Sequence, residues 1–129
     1  MNYKALEAKI IASYTEGVTV SEAEALAGEF LAAQIQVSEE IRQLDLNARL
    51  LKALVKQTKA EVFHKEATAN EKKPSDSLLN AIVDKDEKVN AEQGTLDDAE
   101  VTRDEMFRLF GIFKDAHLHY RAIAKGKFE

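Results

Sequence analysis

The sequence predicts an all-α protein: a long antiparallel helical hairpin with short flanking helices and coiled-coil-like packing. Two observations exclude the alternatives and a third fixes the class. The 129 residues hold only 5 glycines and a single proline, Pro74. An all-β sandwich or barrel needs a turn signal every 8–12 residues or so, and this chain cannot supply them. Apolar residues instead recur at steps of three and four, the spacing of one helix face. With 45% hydrophobic and 32% charged residues, the chain has enough apolar material to build a core. Its length fits a single helical domain over residues 1–129.

The first helix falls within residues 1–17. Leu6, Ile10 and Tyr14 recur every four residues with Ile11 beside them, and Gly17 is a natural stop. The second spans 19–69. Thr19 followed by Glu22 makes a capping box. Leu26, Phe30, Ala33, Val37, Ile41, Leu44, Ala48, Leu51, Val55, Thr58 and Val62 then step with a mean of 3.6, the α-helical period. Pro74 breaks the chain, and Ser75 or Asp76 caps a short helix over 75–93. That helix carries Leu78, Leu79, Ile82, Val83 and Val89, and Gly94 is expected to end it. Thr95 and Asp98 resemble a second capping box, opening a last helix over 96–125. Its seam is Met106, Phe110, Phe113, His117, Tyr120 and Ala124, widened by Phe107, and Gly126 closes it.

Several chemistries find no residues to carry them. There is no cysteine, so no disulfide framework, thiolate zinc site or cysteine nucleophile. His64, His117 and His119 are the only histidines; the last two are spaced by two residues, poor for joint ligation from one helix. Each reads as a core or surface histidine. Asp84–Asp86 lacks the glycine and glutamate of an EF-hand loop, and no phosphate-binding glycine loop or G-x-S-x-G is present. No catalytic residue, metal or cofactor is expected, and the chain is not read as an enzyme. The N-terminal stretch, interrupted by Lys4, Glu7 and Lys9, lacks the apolar core of a signal peptide, and no run reaches 18 apolar residues. A soluble protein of the cytoplasm is expected, with no membrane partner.

Charge is segregated along the chain. Residues 1–47 carry a net −5, 48–73 a net +4, 74–105 a net −7 and 106–129 a net +3. One reading is intramolecular. Folding back at Pro74 sets acidic 96–105 beside basic 56–73, and brings Arg121–Lys127 near Glu39, Glu40 and Asp45. The other reading is a binding surface. Arg49, Lys52, Lys56 and Lys59 step by 3, 4 and 3 along one helix ridge, with Phe63 one turn on. A basic ridge ending in an aromatic ring can follow a phosphate backbone and stack a base. Lys65, Lys72 and Lys73 extend it. Leu46, Leu50 and Leu54 lie to the other side, too wide an apolar arc for one hairpin partner, and mark an oligomer interface.

The layout resembles that of the UvsY-type recombination mediator proteins of tailed phages. The resemblance covers roughly residues 40–126. It rests on the basic distal half of the long helix, KALVKQTKAEVFHKEA at 52–67, a Lys-rich break at 70–77, and Ile-Val-Asp-Lys-Asp at 82–86. The terminal amphipathic helix EMFRLFGIFKDAHLHYRAIAKG at 105–126 completes it. It implies a non-enzymatic helical protein that assembles into a homo-oligomer and binds single-stranded DNA. It also implies contact with a single-strand-binding protein and help in loading a recombinase, in the host cytoplasm if phage-encoded. Carried onto this chain, it adds Arg121, Lys125 and Lys127 to the phosphate-contact or subunit-joining residues. The net charge of −5 departs from that pattern. The alternative is an acidic helical interaction protein, an inhibitor of host defence or an assembly factor, that binds no nucleic acid. Glu92, Asp97, Asp98, Glu100, Asp104 and Glu105 would then meet a basic partner.

Overall fold

The computed structural model describes residues 1–69 and 71–126. They form α1 (Tyr3–Glu16), α2 (Val20–Thr68), α3 (Asp76–Lys85) and α4 (Glu87–Ala124), with no strand among the described residues. α2 and α4 pack against each other as a helical hairpin. Contacts divide the chain into two compact units, one holding residues 1–42 with the chain from Asp104 onward, the other Gln43–Arg103.

Helix ends follow local chemistry. The Asn2 side chain accepts from the Ala5 N–H at 3.1 Å and starts α1. Gly17, at φ 75°, ends it in a conformation that a side chain would strain. The Thr19 hydroxyl accepts from the Glu22 N–H at 3.1 Å and donates to the Glu22 carboxylate at 3.0 Å, so Thr19 caps α2 and Glu22 reaches back to its hydroxyl. Ser75 caps α3 by accepting from the Leu78 N–H at 3.3 Å. Gly126, at φ 68°, follows the end of α4, its N–H donating to the Ile123 carbonyl at 2.9 Å.

The α2 seam is where its period places it. Phe30, Ala33, Val37, Ala48, Val55 and Thr58 are buried, and the other five seam residues are half-buried. In the unit holding both termini, Phe30, Val37, Leu109, Phe113 and Tyr120 form the core with Leu6 of α1. The Phe30 ring lies 5.7 Å from Phe113 and stacks at 5.6 Å on Tyr120. In the other unit Ala48, Val55 and Leu96 are buried together, with Leu51 against them.

The boundary between the last two helices differs from expectation. The break falls at Asp86, not Gly94, and a short helix over 75–93 followed by one over 96–125 is replaced by α3 and a longer α4. Asp86 leaves the helix with extended backbone, and its carboxylate accepts from the Val89 N–H at 2.9 Å. Thr95, expected as a cap, instead donates to the Ala91 carbonyl from inside α4 at 3.1 Å. Keeping the helix intact through Gly94 places Val89 and Leu96, one heptad apart, on the same buried face. A Cβ at Gly94 would meet nothing within 4 Å, so Gly94→Ala is expected to stabilise the protein by about 0.5–1 kcal/mol in urea unfolding. Destabilisation would show that the helix ends there.

Two smaller expectations also change. α1 faces the core with Tyr3, Leu6 and Ile10, while Ile11 and Tyr14 are 69% and 72% exposed. Phe107 is exposed and does not widen the α4 seam; Leu109 and Ala116 are buried instead. The Asp45 carboxylate pairs with Arg103 of its own unit at 3.5 Å.

Tyr3 packs its ring 5.7 Å from Phe113, and its hydroxyl is buried without a hydrogen-bond partner. Burial first, then the adjacent Glu40 carboxylate, pushes the Tyr3 pKa up to about 12, while Gln36 opposes the rise. The folded value lies above the unfolded one, near 10, so the protonated form is the one the fold favours. Stability is therefore expected to be full below pH 10 and to fall between pH 10 and about 12. Tyr3→Phe removes an unpartnered polar atom. It is expected to change stability at pH 7 by less than about 1 kcal/mol and to flatten the alkaline loss. Urea midpoints at pH 7 and pH 11 check both; a larger loss at pH 7 would show a hydroxyl that is satisfied.

Candidate nucleic-acid interface

α2 presents Lys52, Lys56 and Lys59 along one side because i, i+4 and i+7 share a helix face. α4 runs antiparallel to it in this unit and supplies the facing wall. Together Lys52, Val55, Lys56, Lys59, Gln93, Leu96 and Glu100 line a surface groove of about 370 Å³. Buried Val55 and Leu96 make an apolar floor. Among the described residues no carboxylate lies within 4.0 Å of any of these three ammonium groups. Glu100, the one acid of the groove, instead lies 3.9 Å from Arg103, which also pairs with Asp45. Acidic Glu100 thus lies beside the basic stretch, in the same groove as Lys56 and Lys59, without forming an ion pair with these three lysines among the described residues.

The remaining predicted residues separate. Arg49 pairs with Asp45 at 3.0 Å and Lys73 with Asp76 at 3.7 Å, so both are partly neutralised in place. Phe63 is half-buried, and Lys65 and Lys72 are exposed. Arg121 and Lys125 belong to the other unit, where they line a shallow depression with Leu118 and Ala122. Lys127 lies outside the described residues. Leu46, Leu50 and Leu54 are 59%, 62% and 42% exposed. Gln93, Leu96 and Glu100 were not singled out by sequence as part of this site. Their signal is the antiparallel register alone, which requires α4 to continue through Gly94.

The histidines do not converge. His117 Nδ1 lies 2.9 Å from the Ala27 carbonyl; a carbonyl only accepts, so Nδ1 carries the proton. His119 stacks on Tyr14 and meets Tyr120 edge-on. No group of three or more His, Cys, Asp or Glu able to hold a metal occurs among the described residues. No helix among them is long and apolar enough to cross a membrane. The acidic face of α4 is partly engaged: Glu105 is held below the usual carboxylate range by its hydrogen bonds to Arg108, whose own pKa is raised by Glu105 and Glu7.

The fold and groove define a helical-hairpin protein with a lysine-walled surface cleft. No family model, curated protein or solved structure matches the chain.

Proposed function

We propose that the protein is a non-enzymatic recombination and repair accessory protein that binds single-stranded DNA through the lysine groove and acts as an oligomer. One observation carries the reading: three ammonium groups that make no ion pair among the described residues wall a groove with an apolar floor. Over i to i+7 they span about 10 Å at roughly 1.5 Å per residue. They supply the sequence-independent attraction that phosphates need, and the apolar floor and Phe63 offer surface to bases. One such groove on a chain of net charge −5 holds few phosphates. Assembly through an exposed apolar strip such as Leu46, Leu50 and Leu54 would place several grooves along one strand, converting weak contacts into avidity. The loading of a recombinase and contact with a single-strand-binding protein come from the resemblance in layout to UvsY-type mediators.

The test is fluorescence anisotropy of a labelled single-stranded oligonucleotide, titrated at low and near-physiological salt. Binding that weakens steeply with salt is expected. No binding at low salt would overturn the reading. It would favour the acidic interaction protein, with exposed Asp97 and Asp98 available to a basic partner.

A further inference from the structure

In the unit that holds residues 1–42, the outer face of α2 carries a pattern that DNA binding does not use. Glu24, Gly28, Leu31, Ile35, Ser38 and Arg42 step by 4, 3, 4, 3 and 4, so they form one stripe. All six are exposed, Leu31 by 42% and Ile35 by 64%. Beside them opens a groove of about 500 Å³, bordered by Leu31, Gln34, Ile35, Ser38, Glu39 and Phe110. Gln34 Oε1 is buried there without a hydrogen-bond partner.

Read in reverse, the stripe is complementary to itself. Two branched apolar residues sit at its centre, two small residues flank them, and opposite charges stand at its ends. We propose that this face is a self-complementary interface on which a second copy of the chain docks antiparallel. The twofold axis passes near position 33, setting Leu31 against Ile35, Gly28 against Ser38 and Glu24 against Arg42 of the second copy.

The choice of occupant follows from the pattern. A foreign helix needs a complementary sequence of its own and places no demand for symmetry on this one; an isologous pair does. A parallel arrangement would oppose Glu24 to Glu24 and Arg42 to Arg42, so charge selects the antiparallel one. Gly28 has no reason within its own chain. Its Cβ would meet nothing within 4 Å, and a glycine inside a helix is destabilising relative to alanine. Opposite Ser38, it lets two backbones approach and seats Leu31 and Ile35 in the facing grooves beside Phe110. Arg42, which pairs with its own Glu39 at 2.7 Å, remains placed to bridge to Glu24 of the second copy.

Sedimentation velocity on the full chain, with charge reversals, tests the proposal. Glu24→Arg and Arg42→Glu are each expected to weaken self-association about tenfold or more, and the double reversal to restore it to within about threefold. The chain has no cysteine, so register can be read directly. Mixing Leu31→Cys with Ile35→Cys under mild oxidation is expected to give the cross-linked mixed dimer in preference to either self-pair. A wild-type chain that stays monomeric at high concentration would overturn the proposal and leave the face to a foreign helix. So would single reversals without effect, a double no better than the worse single, or self-pairs predominating.

Discussion

Phe30→Ala is expected to destabilise the protein by about 3–5 kcal/mol. Phe30 is fully buried, and its ring touches both Phe113 and Tyr120, which are fully buried themselves. Its removal loses transfer free energy, opens a cavity and breaks two ring pairs, each worth about 0.5–1.5 kcal/mol beyond buried area. Ala23, Ala27 and Ala33 are buried in the same cluster and, each carrying only a methyl, fill little of the gap. Urea unfolding followed by circular dichroism would show the midpoint falling by about 2 M at a slope near 2 kcal/mol/M. Val101→Ala, at a side chain 69% exposed, is expected to change stability by no more than about 0.5 kcal/mol. A Phe30→Ala loss under about 1 kcal/mol would mean that α2 and α4 do not pack through this aromatic cluster.

The same cluster shows what a sequence can disclose. The α2 seam was legible because a helix that must bury one face has little freedom in where its apolar residues fall. All eleven positions that the 3.6 period selects are buried or half-buried. α1 was less legible because it is short: 14 residues with Tyr3, Leu6, Ile10, Ile11 and Tyr14 allow two faces a small roll apart. Tertiary contact decided between them, sending Tyr3 onto Phe113 and leaving Tyr14 to stack on His119 at the surface. The break at Asp86 was hidden by near-equal local signals. Asp86 and Thr95 are both good caps, each worth about 1 kcal/mol, and an internal glycine costs about as much. Burial of Val89 with Leu96 on one face settled what capping could not. The lysine ridge was legible from spacing within one helix. Its facing wall was not, since Gln93, Leu96 and Glu100 reach it only through the register of α4.

Neutralising that ridge is expected to have the second large effect, this time on binding. Lys52→Gln, Lys56→Gln and Lys59→Gln together should lower affinity for a single-stranded oligonucleotide about 30-fold or more at low salt. They should also reduce the slope of log affinity against log salt by about 2. That follows if each lysine holds one phosphate at roughly 0.7 released counterions per contact on a single strand. Folding should be unaffected, within about 0.5 kcal/mol, because none of the three ammonium groups is in an ion pair among the described residues. Replacing all three by arginine keeps the charge and should keep the slope. Phe63→Ala separates the two components of the site, since loss of base stacking, about 1–3 kcal/mol per base, lowers affinity without changing the slope. Arg121→Gln with Lys125→Gln, in the other unit, provides the comparison. A slope that stays unchanged in the lysine triple but falls in the Arg121 and Lys125 pair would move the DNA path from the lysine groove to the end of α4. Unchanged slopes in both would remove direct phosphate contact from either surface.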